Sequence, residues 1–188
     1  MMKRILLSIA VVVIALIGFV STRPETYRVA RRASIASPPA VVFAQVADFH
    51  RWDTWSPWAK LDPAMKTTYS GTKAAVGSSY AWTGNDKVGE GRMTIVAATP
   101  PSSLDIKLEF IRPFASTNET SFAFADAPGG TEATWTMVGH NNFMGKLAGS
   151  FMNFDKMIGG DFERGLTQLK AVAEDEAKKR AAPAAVAR

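Results

Sequence analysis

The sequence of this protein predicts an α+β domain in which a curved antiparallel sheet of about seven strands wraps around one long C-terminal helix. Apolar and polar residues alternate in seven segments between residues 26 and 140, as in strands with one buried face. Short turn-forming sequences separate most of these segments, and such short connections join antiparallel strands. Beyond residue 149, apolar residues recur at helical spacing.

An apolar run precedes the domain. Lys3 and Arg4 lead into residues 5–20, which are almost entirely apolar. Basic residues followed by such a run are typical of a removed secretory signal or of an uncleaved signal anchor. We expect an anchor, because the small residues that cleavage requires are poorly placed around Ser21.

This interpretation divides the chain into three parts. Residues 1–24 form the membrane anchor or signal segment, residues 25–180 form the domain, and residues 181–188 are expected to be a disordered tail. The basic N-terminal tip should stay in the cytoplasm, which places the domain outside it, in a periplasm or at a cell surface. Basic residues such as Arg23 on the other side of the run weaken this orientation.

The first strand begins at Thr26 and is followed by two short helices. Proline is tolerated in the first turn of a helix, so Ser37-Pro38-Pro39 ends the strand and opens the first helix. A second short helical turn is predicted from Phe49 to Trp52.

Six further strands are predicted from the turn-forming residues between them. Glycine, asparagine and proline favour turns because of their backbone preferences. The strands are predicted at Met65–Gly71, Gly77–Thr83, Val88–Ala98, Ser102–Arg112, Ser116–Ala125 and Thr131–His140. The glycine pair around Glu90 predicts a bulge in the fourth strand. A long helix is then predicted from about Gly149 to Lys179, with an apolar stripe that includes Phe151, Ile158, Phe162, Leu166 and Leu169.

Composition excludes several classes of function. The chain has no cysteine, so disulfides, thiol catalysis and cysteine zinc sites are excluded. Its net charge is +5, but the basic residues are scattered rather than gathered in the stripe typical of nucleic-acid binding. No nucleophile, phosphate-binding or dinucleotide-binding motif is present, and we expect no cofactor and no metal.

Three local sequences resemble one known superfamily. They are Ser37-Pro38-Pro39-Ala40-Val41-Val42-Phe43 at the entry to the first short helix, Asp53-Thr54-Trp55-Ser56-Pro57-Trp58 after it, and residues 157–166 in the long helix. With the order of elements, they resemble the START-like, or polyketide cyclase/dehydrase and lipid transport (SRPBCC), superfamily over about residues 26–180. The resemblance implies a helix-grip fold. Members of that superfamily include lipid carriers, hormone receptors, cyclases, oxygenase domains and chaperone activators. Oxygenase domains need an iron site with several ligands. This chain has only two histidines, so we set the oxygenase branch aside.

Large apolar side chains are the candidates for lining a ligand cavity between sheet and helix. They suit the wall of a cavity and an ordinary packed core alike. The candidates are Tyr80, Trp82, Phe110, Phe122, Phe124, Trp135, Met137, Met152 and Ile158. Trp55 and Trp58 are interpreted instead as pinning their loop against the sheet, and Met144 and Met157 are further candidates for an entrance.

Polar candidates come from the apolar stripe and the strand ends. Asp155 falls on the stripe of the long helix, where a carboxylate needs a partner. It is expected to anchor a ligand, to pair with a strand base such as Arg92, or to lie in solvent at the start of the helix. His140 ends the last strand and is a second ligand-lining candidate. If Asp155, His140 or Glu90 acted as a general acid or base, the protein would be an enzyme instead of a binding protein.

Three functions follow from these observations. The first is non-catalytic binding of an apolar or amphipathic small molecule, lipid- or polyketide-like, by a membrane-tethered domain. The second is a cyclase- or dehydrase-like enzyme. The third is a membrane-tethered interaction module with a packed interior, which a cavity no larger than about 100 to 200 Å³ would favour.

Overall fold

The structure, a computed structural model, describes residues 2–141, 143–151 and 153–181. Its α-helices are α1 (Met2–Ser21), α2 (Pro39–Ala47), α3 (Phe143–Phe151) and α4 (Phe154–Ala181), and a 3-10 helix covers Phe49–Thr54. Its strands are β1 (Thr26–Ile35), β2 (Lys66–Ser70), β3 (Ser79–Thr83), β4 (Glu90–Thr99), β5 (Ser103–Arg112), β6 (Ser116–Ala127) and β7 (Gly130–His140).

The seven strands form one antiparallel sheet in the order β1-β7-β6-β5-β4-β3-β2. Consecutive strands from β2 to β7 are neighbours, because their short connections leave no room for a crossover. β1 closes the other edge by pairing with β7 along its whole length. The predicted α+β helix-grip fold is confirmed, and the predicted strands agree with the observed ones to within two residues at each end. The predicted bulge is confirmed as a register shift between Glu90 and Gly91.

One end of the sheet carries the start of the domain. The strand registers bring together the first residues of β1, β2, β4 and β6 and the last residues of β3, β5 and β7. We call this the proximal end, because α1 enters it through the short segment before Thr26. The opposite, distal end is filled by α2, whose Phe43 ring meets Phe124 edge-on at 5.9 Å between ring centroids.

α4 crosses the inner face of the sheet and packs most closely on β1. Phe162, Leu166 and Leu169 of its predicted stripe are buried, as expected. Arg31 of β1 lies directly over Gly159, where a Cβ atom would meet the guanidinium. The same guanidinium donates to Asp155 at 2.9 Å and to Glu163 at 2.6 Å, so β1 and the first turns of α4 are joined by one side chain.

The prediction of one continuous helix from Gly149 is wrong. α3 ends at Phe151 and α4 begins at Phe154, so Phe151 belongs to a different helix from the rest of the predicted stripe. The side chain of Asn153 explains the new start, because its Oδ1 accepts a hydrogen bond from the backbone N–H of Lys156 at 2.9 Å. This is how an N-cap residue satisfies the free donors of a first helical turn.

α1 exposes almost all of its apolar side chains. Of its described residues, Val20 alone is buried, while apolar side chains such as Leu7 (67% exposed) and Ile14 (69% exposed) face outward. The helix is long enough and apolar enough to cross a membrane. A signal sequence can have the same length and composition. The side chain of Arg23, just beyond it, lies over the Phe19 ring at 4.2 Å.

Candidate functional site: an apolar cavity under the C-terminal helix

A cavity of about 340 Å³ lies between the inner face of the sheet and the first half of α4. Apolar and aromatic side chains provide most of its surface. They are Trp52, Trp58, Ala59, Met65, Tyr80, Trp82, Val88, Met93, Leu108, Phe110, Trp135, Met137, Met157, Ile158 and Phe162. Polar and charged residues complete the lining at Tyr27, Asp53, Ser56, Lys87, Ser116, Asn118, Thr120 and Asp161.

The floor of the cavity is built from rows of side chains that run across the strands. Residues two apart on a strand share a face, and the register brings inner residues of neighbouring strands side by side. Tyr80, Met93, Leu108 and Asn118 form one such row over β3, β4, β5 and β6. The row continues through Gly139 of β7 to Tyr27 of β1.

Two glycines let aromatic rings lie flat on this floor. A Cβ atom on Gly139 would collide with the Tyr27 ring, and one on Gly91 would meet the Trp82 ring at 2.5 Å. Both rings therefore cover backbone that a larger residue would occupy. Trp82 is fixed further, because its indole N–H donates to the carbonyl of Val88 at 2.9 Å. The space above the floor stays open between these two rings.

The roof begins with Trp52 of the 3-10 helix and with Trp55 and Trp58 just beyond it. Trp52 is buried, donates its indole N–H to the carbonyl of Val46 at 2.8 Å and lines the cavity. Trp55 is fully buried and donates to the carbonyl of Gln45 at 3.2 Å, so it pins its loop as predicted. Trp58 was also predicted to pin this loop, but it is half-buried and lines the cavity.

Asp48 holds the 3-10 helix in place. Its carboxylate is buried and accepts from Lys73 Nζ at 2.9 Å, from the His50 ring at 3.1 Å and from the His50 backbone N–H at 3.2 Å. Burial by itself would raise the pKa of Asp48, but the hydrogen bonds from Lys73 and His50 outweigh it, so the pKa is lowered. The ionised carboxylate is therefore the form that stabilises the roof.

We expect Asp48→Asn to lower the free energy of unfolding by about 1–3 kcal/mol at neutral pH, because the amide keeps one acceptor oxygen but loses the other oxygen and the negative charge. A lowered pKa in the folded protein stabilises it above the usual aspartate pKa of about 3.9, and this contribution is lost as the pH falls through the folded value. The deficit of the variant should therefore shrink in acid. Urea unfolding at neutral and acidic pH measures it, with the exposed Asp53→Asn as control. A deficit independent of pH would contradict the assignment.

Six of the residues predicted to line the cavity do line it, and Met157, a candidate for its entrance, lines it as well. The six are Tyr80, Trp82, Phe110, Trp135, Met137 and Ile158. Phe122 and Phe124 share the inner face of β6 but lie nearer the distal end, in the packed core outside the cavity lining. Met152 lies outside the described residues. That the six residues bind a ligand stays a prediction.

The predicted polar residues lie elsewhere. Asp155 faces Arg31 on β1 rather than the cavity, and its side chain is 59% exposed. The base that pairs with Asp155 is therefore Arg31, whereas Arg92 was the expected one. The hydrogen bond from Arg31 lowers the pKa of Asp155. His140 is exposed because the inner face of β7 carries the odd-numbered residues up to Gly139. Glu90 pairs with Arg112 at 3.0 Å outside the cavity lining.

Sequence reasoning missed a polar wall. Asn118 and Thr120 of β6 are buried and line the cavity, and Ser116 continues the same face to the exposed proximal end. The hydroxyl of Tyr27 donates to Asn118 Oδ1 at 3.3 Å, and burial raises the pKa of Tyr27. The sequence does contain a signal for this wall. Ser116, Asn118 and Thr120 are spaced two apart and are followed on the same face by Phe122 and Phe124, so that face changes from polar to apolar along the strand.

A curved antiparallel sheet that encloses an apolar cavity against its C-terminal helix defines this protein as a helix-grip protein. The chain belongs to the polyketide cyclase / dehydrase and lipid transport family, whose model matches residues 26–174. This confirms the superfamily that the three local sequences resemble. No curated protein matches the chain.

Solved structures share the fold at low sequence identity. Protein CV1439 from Chromobacterium violaceum is 15% identical, with a TM-score of 0.56 over 80% of this chain and 98% of its own. Protein SA2116 from Staphylococcus aureus, described as of unknown function, is 12% identical with a TM-score of 0.60 over 82% and 97%. Ara h 8.0201 is 15% identical with a TM-score of 0.53 over 82% and 99%.

Proposed function

We propose that this protein is a membrane-tethered, non-catalytic binding protein for an apolar or amphipathic small molecule. The observation that carries the proposal is the cavity of about 340 Å³ with a mainly aromatic and aliphatic wall. Ligand sites in proteins are typically of this size and composition. Burial of apolar ligand surface at about 25 cal/mol per Å² supplies the binding energy. The volume argues against an interaction module with a packed interior.

The positions of the acid–base candidates support binding rather than catalysis. Asp155 and Glu90 are each engaged by an arginine outside the cavity lining, and His140 is on the opposite face of its strand. The charged residues in the described lining are Asp53, Lys87 and Asp161, which are exposed or half-buried at its rim. A general acid or base has to reach the reacting atoms, and none of the three former candidates does.

The tether is α1, whose apolar surface is exposed along its length. We place the domain outside the cytoplasm, on the basis of Lys3 and Arg4 before the apolar run. The cavity lies toward the proximal end, where α1 joins the domain, because Tyr27, Ser116 and Lys87 at that end are part of its lining. A tether through α1 would therefore hold the cavity close to the membrane surface.

One preparation tests both halves of the proposal. The full chain should remain with the membrane pellet after an alkaline carbonate wash, which removes peripheral proteins. After purification in detergent, it should release a specific apolar compound on solvent extraction, in an amount comparable to that of the protein. A chain that carbonate removes would contradict the tether. A chain that carries no compound, and binds no naphthalene probe when one is offered, would contradict the binding function.

A further inference from the structure

The inner face of β6 changes character along its length. From the distal end it presents Phe124 and Phe122 to the core, and then Thr120 and Asn118 to the cavity. All four side chains are at most 4% exposed, so the polar pair is as deeply buried as the aromatic pair. Buried polar groups are normally hydrogen-bonded, so Thr120 and Asn118 are each expected to have a hydrogen-bond partner.

Asn118 has a partner and Thr120 has none among the described residues. The Asn118 side chain accepts from Tyr27, whereas the Thr120 hydroxyl is buried without a hydrogen bond. Thr120 is 3% exposed and is part of the cavity lining. A buried hydroxyl without a hydrogen-bond partner costs free energy. Because Thr120 lies on the cavity wall, a molecule in the cavity can supply the missing partner.

Trp135 shows the same deficit. The indole N–H groups of Trp52, Trp55 and Trp82 each donate to a backbone carbonyl, at 2.8, 3.2 and 2.9 Å. The N–H of Trp135 is buried with no hydrogen-bond partner among the described residues, and Trp135 also lines the cavity. A buried tryptophan normally places its N–H on an acceptor, so Trp135 departs from the pattern of its neighbours.

The two unpartnered groups are close together. Thr120 pairs with Met137 across β6 and β7, and Trp135 is two residues from Met137 on the same face. They are therefore diagonal neighbours, about 7–8 Å apart along the sheet and within reach of one ligand. The indole N–H can only donate, and the threonine hydroxyl can donate as well. What both can share is an acceptor.

We propose that Thr120 and Trp135 form a polar subsite that binds an uncharged carbonyl group of an otherwise apolar ligand, such as a ketone, ester or amide. A carbonyl oxygen has two lone pairs and can accept from both donors. A carboxylate would need a cation to offset its burial, and Lys87, the basic residue in the described lining, is exposed at the rim. This inference rests on the proposed function and names the ligand class that it takes.

The test uses two probes of nearly equal shape, acetylnaphthalene and ethylnaphthalene, which differ by a carbonyl in place of a methylene. Their dissociation constants are measured by fluorescence on the full chain at one detergent concentration, so that loss of probe to micelles is the same for every variant. Thr120→Val removes the hydroxyl and keeps the shape. Thr117→Val, on the exposed face of the same strand, is the matched control.

We expect the preference for the ketone over the hydrocarbon to fall about five- to tenfold in Thr120→Val and to stay unchanged in Thr117→Val, as for loss of one buried hydrogen bond. An unchanged preference in Thr120→Val would overturn the subsite and leave the binding function standing, since water would then serve both groups. If neither probe binds the wild type and no compound is extracted from it, the proposed function fails and the subsite fails with it. An extracted compound without a carbonyl group would overturn the subsite alone.

A second measurement needs no variant of Thr120. The indole N–H resonance of Trp135, assigned with Trp135→Phe, should move downfield when acetylnaphthalene binds and not when ethylnaphthalene binds. Ring-current effects of the naphthalene are common to both probes, so the difference reports the hydrogen bond. Equal shifts with both probes would overturn the role of Trp135.

Discussion

Replacing Trp135 by alanine should lower the free energy of unfolding by about 3–5 kcal/mol, the usual cost of removing a large aromatic side chain from a core. Trp135 is 2% exposed and stacks on Phe162 of α4 at 4.0 Å and on Phe122 of β6 at 4.9 Å between ring centroids. It also meets Trp52 of the 3-10 helix edge-on at 6.4 Å. One ring thus joins the sheet, the long helix and the 3-10 helix.

This loss is large relative to the whole stability of a domain, which is about 5–15 kcal/mol. Urea unfolding of the full chain in detergent, followed by far-ultraviolet circular dichroism, measures it without relying on tryptophan fluorescence. Trp58→Ala is the control, because Trp58 is half-buried and touches the same cluster at 5.9 Å from Trp135. Trp58→Ala should cost less than half as much. Equal losses would show that the position of Trp135 is not special.

The sequence was a good guide to the elements because each strand is bounded by residues with a steric reason to turn. Pro128 and Gly129, the latter with φ of +81°, form the turn between β6 and β7 where Pro128-Gly129-Gly130 predicted it, and Gly130 begins β7. The break between α3, which ends at Phe151, and α4, which begins at Phe154, escaped prediction for a comparable local reason. Asn153 is an N-cap, but it stands between two apolar segments that both have helical spacing.

The cavity was predictable in kind and only partly in detail. Alternation within a strand shows that Trp82 and Trp135 face inward, and both do line the cavity. It does not show which inward residues meet packed neighbours, as Phe124 meets Phe43, and which meet open space. That distinction depends on the register of several strands and on where α4 begins, and neither is written in a local pattern.

Asp155 illustrates why a helical stripe alone misleads. It lies on the same face of α4 as Ile158, yet it is near the start of the helix, where the sheet edge at β1 replaces the cavity as neighbour. The guanidinium of Arg31 can reach it because Gly159 has no side chain in between. A pairing over 124 residues of chain is set by tertiary structure and leaves no local trace.

Filling the cavity should abolish ligand binding without unfolding the protein, and Leu108→Trp is the substitution that does this most directly. Leu108 lies in the middle of the floor, between Met93 and Asn118 in the same row, and is half-buried. Its side chain adjoins open space, so an indole there can extend into the cavity instead of forcing neighbours apart. Filling an internal space is commonly neutral or stabilising.

We expect Leu108→Trp to weaken binding of acetylnaphthalene at least tenfold, because the probe and the indole compete for the same volume. Val96→Trp is the control, since Val96 is 51% exposed at a second register shift of β4, between Ile95 and Ala97, lies outside the cavity lining and gains the same side chain. Both variants should retain the wild-type circular dichroism spectrum and unfold within about 1 kcal/mol of it. Full binding by a folded Leu108→Trp protein would mean that the probe occupies another site. Loss of binding in both variants would mean that added surface tryptophan, not the filled cavity, is the cause.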